Sequence, residues 1–167
     1  MKNINKLLLG FLPLILLLSS CWIYSFSGNT FPNMKTVNVV FFENNAPIVV
    51  PTLSNTFTEA LKARIRNQSP FSIVRNDADA TFEGRITDYN IKPVAITANE
   101  RSEATRLTIT VSVKYTNKIV PEQSFEQSFS RFSDFQGSDI AGNENKLITD
   151  INRQLTEDIF NRAFSNW

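Results

Sequence analysis

The chain has 167 residues, 42% of them apolar, and carries 17 basic against 16 acidic side chains. A balance so near neutral speaks against nucleic acid as a partner, which calls for a strongly basic face. Histidine is absent and cysteine occurs once, at Cys21; this removes a Ser-His-Asp triad, the commonest metal ligand and any disulfide framework.

The first predicted element is a leader. Lys2 and Lys6 precede an apolar run from Leu7 to Leu18, closed by Ser19 and Ser20. That is the layout of a secretory signal. The stretch Leu18-Ser19-Ser20-Cys21 resembles a bacterial lipobox, which implies alkylation of the Cys21 thiol by a diacylglyceryl group, cleavage just before it and acylation of the new amino terminus. Two other readings stay open: a plain secretory signal with a free or paired cysteine, and a membrane span, for which the run is short and broken by Pro13. Residues 1–20 are therefore expected to be a lipoprotein signal peptide, 21–35 a lipidated tether and 36–167 a single α+β domain. Loss of Lys2 and Lys6 turns the formal charge from +1 to −1. Stable anchoring takes more than one acyl chain, as a mature lipoprotein carries. Trp22 stands where, in the best-known sorting rule, an aspartate retains a lipoprotein in the inner membrane, so the outer membrane is favoured. A mature chain with no disulfide framework is compatible with an oxidising periplasm.

Thr36 to Glu43 reads as a strand, with Val37, Val39 and Phe41 on one face, Val40 and Phe42 on the other, and both faces largely buried. Asn44-Asn45-Ala46-Pro47 breaks it. Thr52 or Ser54 is placed to cap a helix reaching about Asn67, whose stripe is Leu53, Phe57, Leu61 and Ile65. Phe71 to Arg75 is short and apolar at alternate positions, and Asn76-Asp77 turns. Ala78 to Lys92 is a long strand whose phase moves from Ala80, Phe82, Gly84 and Ile86 to Tyr89 and Ile91, which predicts a bulge near Thr87-Asp88. Residues 93–104 read as a loop or hairpin tip. In Thr105 to Asn117, Leu107, Ile109, Val111, Val113 and Tyr115 alternate with Thr108, Thr110, Ser112, Lys114 and Thr116, giving one core face and one wet or polar-paired face. Glu122 to Phe132 is a weaker strand. Leu147, Ile148, Ile151, Leu155, Ile159 and Ala163 mark a final helix from about Asn143 to Ala163. The sum is an α+β fold: two helices packed on one face of a four-stranded mixed sheet, in the order strand-helix-strand-strand-strand-helix, with a right-handed crossover to a parallel neighbour of the first strand.

Catalytic chemistry finds little footing. Glu157 and Asp158 are adjacent on a helix and point apart. Asp77 and Asp79 flank a strand start and read as turn residues, and with Asn76 they fall short of a full metal-ligand set. No metal and no cofactor is expected. Basic residues gather loosely on the long hairpin: Arg85, Lys92, Arg101, Arg106, Lys114 and Lys118. They read either as a solvated face or as contacts to phosphates and other acidic groups. The 14 phenylalanines read first as core and second as a surface for a protein partner or acyl chains.

The chain resembles the LptE family of lipopolysaccharide-assembly lipoproteins. The lipobox at Cys21 carries the resemblance, with Tyr24-Ser25-Phe26-Ser27-Gly28 just after it. An aromatic-Ser-Phe-Ser/Thr-Gly stretch after the lipid cysteine is common in one divergent branch of that family. The order of elements agrees over essentially all of the mature chain. The resemblance implies a non-enzymatic, lipid-anchored outer-membrane protein with its domain facing the periplasm. It would plug and help assemble the LptD barrel and bind lipopolysaccharide. No local motif fixes the family's basic contacts, and Lys92, Arg101, Arg106 and Lys114 are the candidates for meeting lipopolysaccharide or the partner. A rival stands beside it: Val39-Val40-Phe41-Phe42-Glu43-Asn44-Asn45 resembles the first strand of lipoproteins that activate peptidoglycan synthases or build secretion pores. A periplasmic hydrolase is a third reading.

Overall fold

A computed structural model describes residues 33–95, 103–136 and 141–164 of the protein. In chain order its elements are β1 (Thr36–Val39), β2 (Glu43–Asn44), α1 (Leu53–Gln68), β3 (Ser72–Ile73), β4 (Ala80–Ala95), β5 (Glu103–Asn117), β6 (Phe125–Gln136) and α2 (Glu144–Phe164). One mixed sheet runs β3-β1-β4-β5-β6, with β2 also paired to β4. The first strand is parallel to β3 and β4, while β4, β5 and β6 form an antiparallel meander. The two-helix α+β class stands as read. The expected four strands are corrected to six, because β2 and β3 are two-residue segments too short to show a period.

The expected single strand from Thr36 to Glu43 is two strands joined by a bulge. Val39 faces Phe82 and Glu43 faces Arg85, so four steps on one side match three on the other. The extra residue reverses the side-chain phase. Phe42 joins Val37 and Val39 in the core, and Phe41 and Val40 are turned outward, 53% and 38% exposed. Both faces are therefore not buried. Two features fix this phase. Gly84 has no side chain where the Phe42 ring lies; a Cβ there would sit 2.5 Å from the ring and 2.1 Å from the Ser112 carbonyl oxygen. The Phe42 N–H donates instead to the buried Thr58 hydroxyl of α1 at 3.1 Å, as a buried amide must find a partner. The Phe42 ring meets Phe57 edge-on at 5.0 Å.

The predicted bulge in the long strand is present, as the register shifts between Ile86 and Asp88. Both arms of the hairpin run further than expected, to Ala95 and from Glu103. Pro121–Gln123 is a 3-10 turn, so β6 starts later and ends later than read. Thr52 occupies the N-cap position of α1 with helical φ and ψ and no side-chain cap bond.

The apolar stripes of both helices enter one core with the inward residues of β4 and β5. Leu53, Phe57, Leu61 and Ile65 come from α1, and Leu147, Ile151, Leu155 and Ile159 from α2. At one end Phe82, Tyr115 and Phe164 pack with ring centroids within 5.9 Å of one another. Arg131 ties β6 to α2 through Asp158 at 2.5 Å and 2.7 Å. Tyr89 donates to Glu144 in the first turn of α2 at 2.5 Å, and burial first, then that carboxylate, raises its pKa. Asp77 has a φ of 49°, a turn conformation that aspartate tolerates. The Asp79 carboxylate accepts from the Lys35 and Thr36 amides and the Thr36 hydroxyl at 2.8–2.9 Å. Asp77 and Asp79 are thus a turn and a clasp.

The uncovered sheet face as candidate partner surface

Alternation along β4, β5 and β6 sends every second side chain away from the helices. The antiparallel registers turn these into rows across the three strands: Lys92–Arg106–Asp134, Asn90–Thr108–Phe132, Asp88–Thr110–Ser130, Arg85–Ser112–Ser128 and Glu83–Lys114–Glu126. The bulge at Ile86/Asp88 places Arg85 and Lys92 on this same face. Thr110 and Ser130 share a hydroxyl hydrogen bond of 3.0 Å.

The face is polar but balanced in charge. Arg106 grips Asp134 with two bonds of 2.7 Å and 2.8 Å. Its guanidinium also lies 3.8 Å above the Phe132 ring. That pairing holds the Asp134 carboxyl below the usual carboxylate range and raises the Arg106 pKa. The Lys114 ammonium is 3.9 Å from Glu83 and lies across from Glu126. Of the predicted contact residues, Lys92 and Arg106 are brought side by side. Lys114 lies eight residues along β5 from Arg106, roughly 27 Å away. Arg101, Cys21 and Tyr24 to Gly28 lie outside the described residues. Asp134 and Phe132 were missed, because their meeting with Arg106 needs the β5–β6 register.

Three further features frame the site. Val40 and Phe41 at the β1–β2 bulge and Ile48 and Val49 in the loop after β2 are each exposed. A shallow groove of about 400 Å3, lined by Thr56, Arg64, Asn152 and Thr156 among others, lies between α1 and α2. Among the described residues, no helix is long and apolar enough to cross a membrane.

The solved structures similar to this chain include a minor lipoprotein from Acinetobacter baumannii, with a TM-score of 0.50 at 14% identity, over 75% of this chain and 89% of that one. The hypothetical protein CT253 from Chlamydia trachomatis gives a TM-score of 0.52 at 9% identity, over 77% and 95%. At such identities the likeness is one of fold. A search of curated protein sequences finds no match. The family model described as LptE, lipopolysaccharide-assembly, matches residues 34–163. That span runs from the buried Met34 ahead of β1 to the buried Ala163 in the last turn of α2, so it takes in every described strand and all but the last residue of the second helix. The chain belongs to the LptE family of lipopolysaccharide-assembly proteins.

Proposed function

We propose that this chain is a non-enzymatic outer-membrane lipoprotein that plugs and helps assemble the LptD barrel during delivery of lipopolysaccharide to the cell surface. The observation that carries the reading is the family match over residues 34–163, a family that is non-enzymatic and associated with the outer membrane. Residues 1–20 serve as the signal peptide, Cys21 carries the lipid, 21–35 tether the domain and 36–167 form it. The lumen of an outer-membrane barrel is polar. A sheet face of Thr, Ser and paired charges suits such a wall better than the helix-covered face. This reading assigns Lys92, Arg101 and Arg106 to contact with lipopolysaccharide phosphates or the barrel wall. Since Asp134 already neutralises Arg106, Lys92 carries more of that role than Arg106.

The test is a pull-down of the full lipidated chain from solubilised outer membrane. A large barrel protein should co-purify, and depletion of the chain should lower both the mature barrel and surface lipopolysaccharide. Recovery of a peptidoglycan synthase, with barrel and lipopolysaccharide unchanged, would establish the rival reading instead. Mass spectrometry of the mature protein should find Cys21 lipidated at its new amino terminus, and an unmodified Cys21 would remove the anchor from the account.

A further inference from the structure

The sheet ends differently on its two sides. One side ends in β3, two residues long with Pro70 just ahead of it. The other ends in β6, 12 residues long, with no further strand beside it among the described residues. A strand edge presents a row of unpaired N–H and C=O groups.

The register says which groups these are. Antiparallel strands exchange backbone bonds only between alternate opposed pairs. The Lys118 amide donates to the Asp79 carbonyl at 2.8 Å, one step beyond the opposed pair Ala80 and Asn117. Even-numbered residues of β5 therefore turn their backbone groups to β4, and odd-numbered ones turn theirs to β6. The opposed pairs of β5 and β6 match odd with odd, as Val111 with Phe129 and Ile109 with Arg131. Glu126, Ser128, Ser130, Phe132, Asp134 and Gln136 are left with N–H and C=O groups pointing outward, and each of these residues is exposed. Proteins ordinarily blunt such an edge with brevity, proline, lysine, a bulge or an inward charge. β6 has no proline and no lysine, and its register with β5 holds without a shift through every pair. Its inward charge, Arg131, is neutralised by Asp158.

We infer that β6 pairs antiparallel with β6 of a second copy of this chain. A two-fold contact of this kind needs an edge that complements itself. With the dyad at Phe132, the outward backbone groups of the two copies meet one another. Phe132 then opposes Phe132 of the partner subunit, and the half-buried Phe135 opposes Phe129 of the partner subunit. Asp134 opposes Ser130 of the partner subunit, so no like charges stand opposite. Directly opposed aromatic residues stabilise a strand pair, and opposed like charges destabilise it. A dyad at Arg131 would set that guanidinium against Arg131 of the partner subunit. A dyad at Ser130 would set Glu126 against Asp134 of the partner subunit. The inference concerns the chain alone and does not require the barrel partnership.

The experiment is disulfide trapping of the purified full chain in detergent under mild oxidation, with the parent chain as the blank for Cys21. Phe132→Cys, on the dyad, should give a linked dimer. Ser128→Cys should not, since its own copy lies eight residues along the pair, roughly 27 Å away, and disulfides bridge Cα atoms up to about 7 Å apart. Chance sharing of a micelle would link both cysteines alike. Adding Ser130→Pro to Phe132→Cys removes an outward N–H and leaves the bonds to β5 intact. It should slow linkage about tenfold at a nearly unchanged thermal midpoint, and the contrast between the two cysteines stands whether or not the proline variant folds. A photo-activatable residue at Phe132, irradiated in intact cells, should give an adduct of twice the chain's mass. No linkage through Phe132→Cys, equal linkage through Ser128→Cys, or a photo-adduct with a different protein alone would overturn the inference.

Discussion

The two faces of the sheet are made from the same strands and answer to different demands. On one, Phe82, Ile86, Tyr89, Leu107, Ile109, Val111, Val113 and Tyr115 are almost wholly buried beneath α1 and α2. On the other, Thr, Ser and paired charges stand in rows that neither α1 nor α2 covers. The first face settles whether the chain folds. The second contributes little to that and is free to be set by whatever it meets. Stability and the proposed partnership would thereby be divided between alternate residues of single strands.

The division is broken most severely from the covered side. Phe42→Ala should cost about 3–5 kcal/mol in denaturant unfolding, because a fully buried ring is lost against Gly84 and Phe57. Leu155→Ala should cost about 2–5 kcal/mol, and a near-neutral result would mean that α2 is a docking element and not part of the core. Gly84→Ala should cost at least about 1–3 kcal/mol, since the added methyl meets the Ser112 backbone as well as the Phe42 ring.

Much of this was legible. Strict alternation from Leu107 to Tyr115 marked the hairpin and its core face, and the phase change after Ile86 marked the bulge. The bulge at Val40 to Phe42 was hidden because Val39-Val40-Phe41-Phe42 is apolar throughout, so no alternation tells which phase the sheet takes. Thr58 and Gly84 decide it, and they lie far along the chain. The partner face was half legible: its polarity shows in β5 alone, but the pairing of Arg106 with Asp134 depends on a register that β6, weakly patterned, does not announce. The helix groove depends on Thr56 and Asn152 meeting across two helices, which no local pattern reveals.

Smaller effects sharpen the comparison at its edge. Asp79 clasps the start of β1 through hydrogen bonds that lower its pKa, the Lys35 amide foremost. A depressed carboxylate stabilises the fold above its unfolded pKa, and that contribution is lost as pH falls through the folded one. Asp79→Asn should therefore lower stability at neutral pH. The gap from the unaltered chain should close as pH drops through and below the usual carboxylate range. On the uncovered face, Ser112→Ala and Ser128→Ala should change stability by no more than about 0.5 kcal/mol.

The central claim is that the uncovered face meets the barrel. It is tested most directly by placing a photo-activatable cross-linking residue at Ser112 or Ser128, and at exposed Glu157 on α2 for comparison, and irradiating intact cells. The account predicts an adduct of barrel size from Ser112 and Ser128, stronger than any from Glu157. Adducts absent from both serines, while Glu157 alone captures the barrel, would contradict it.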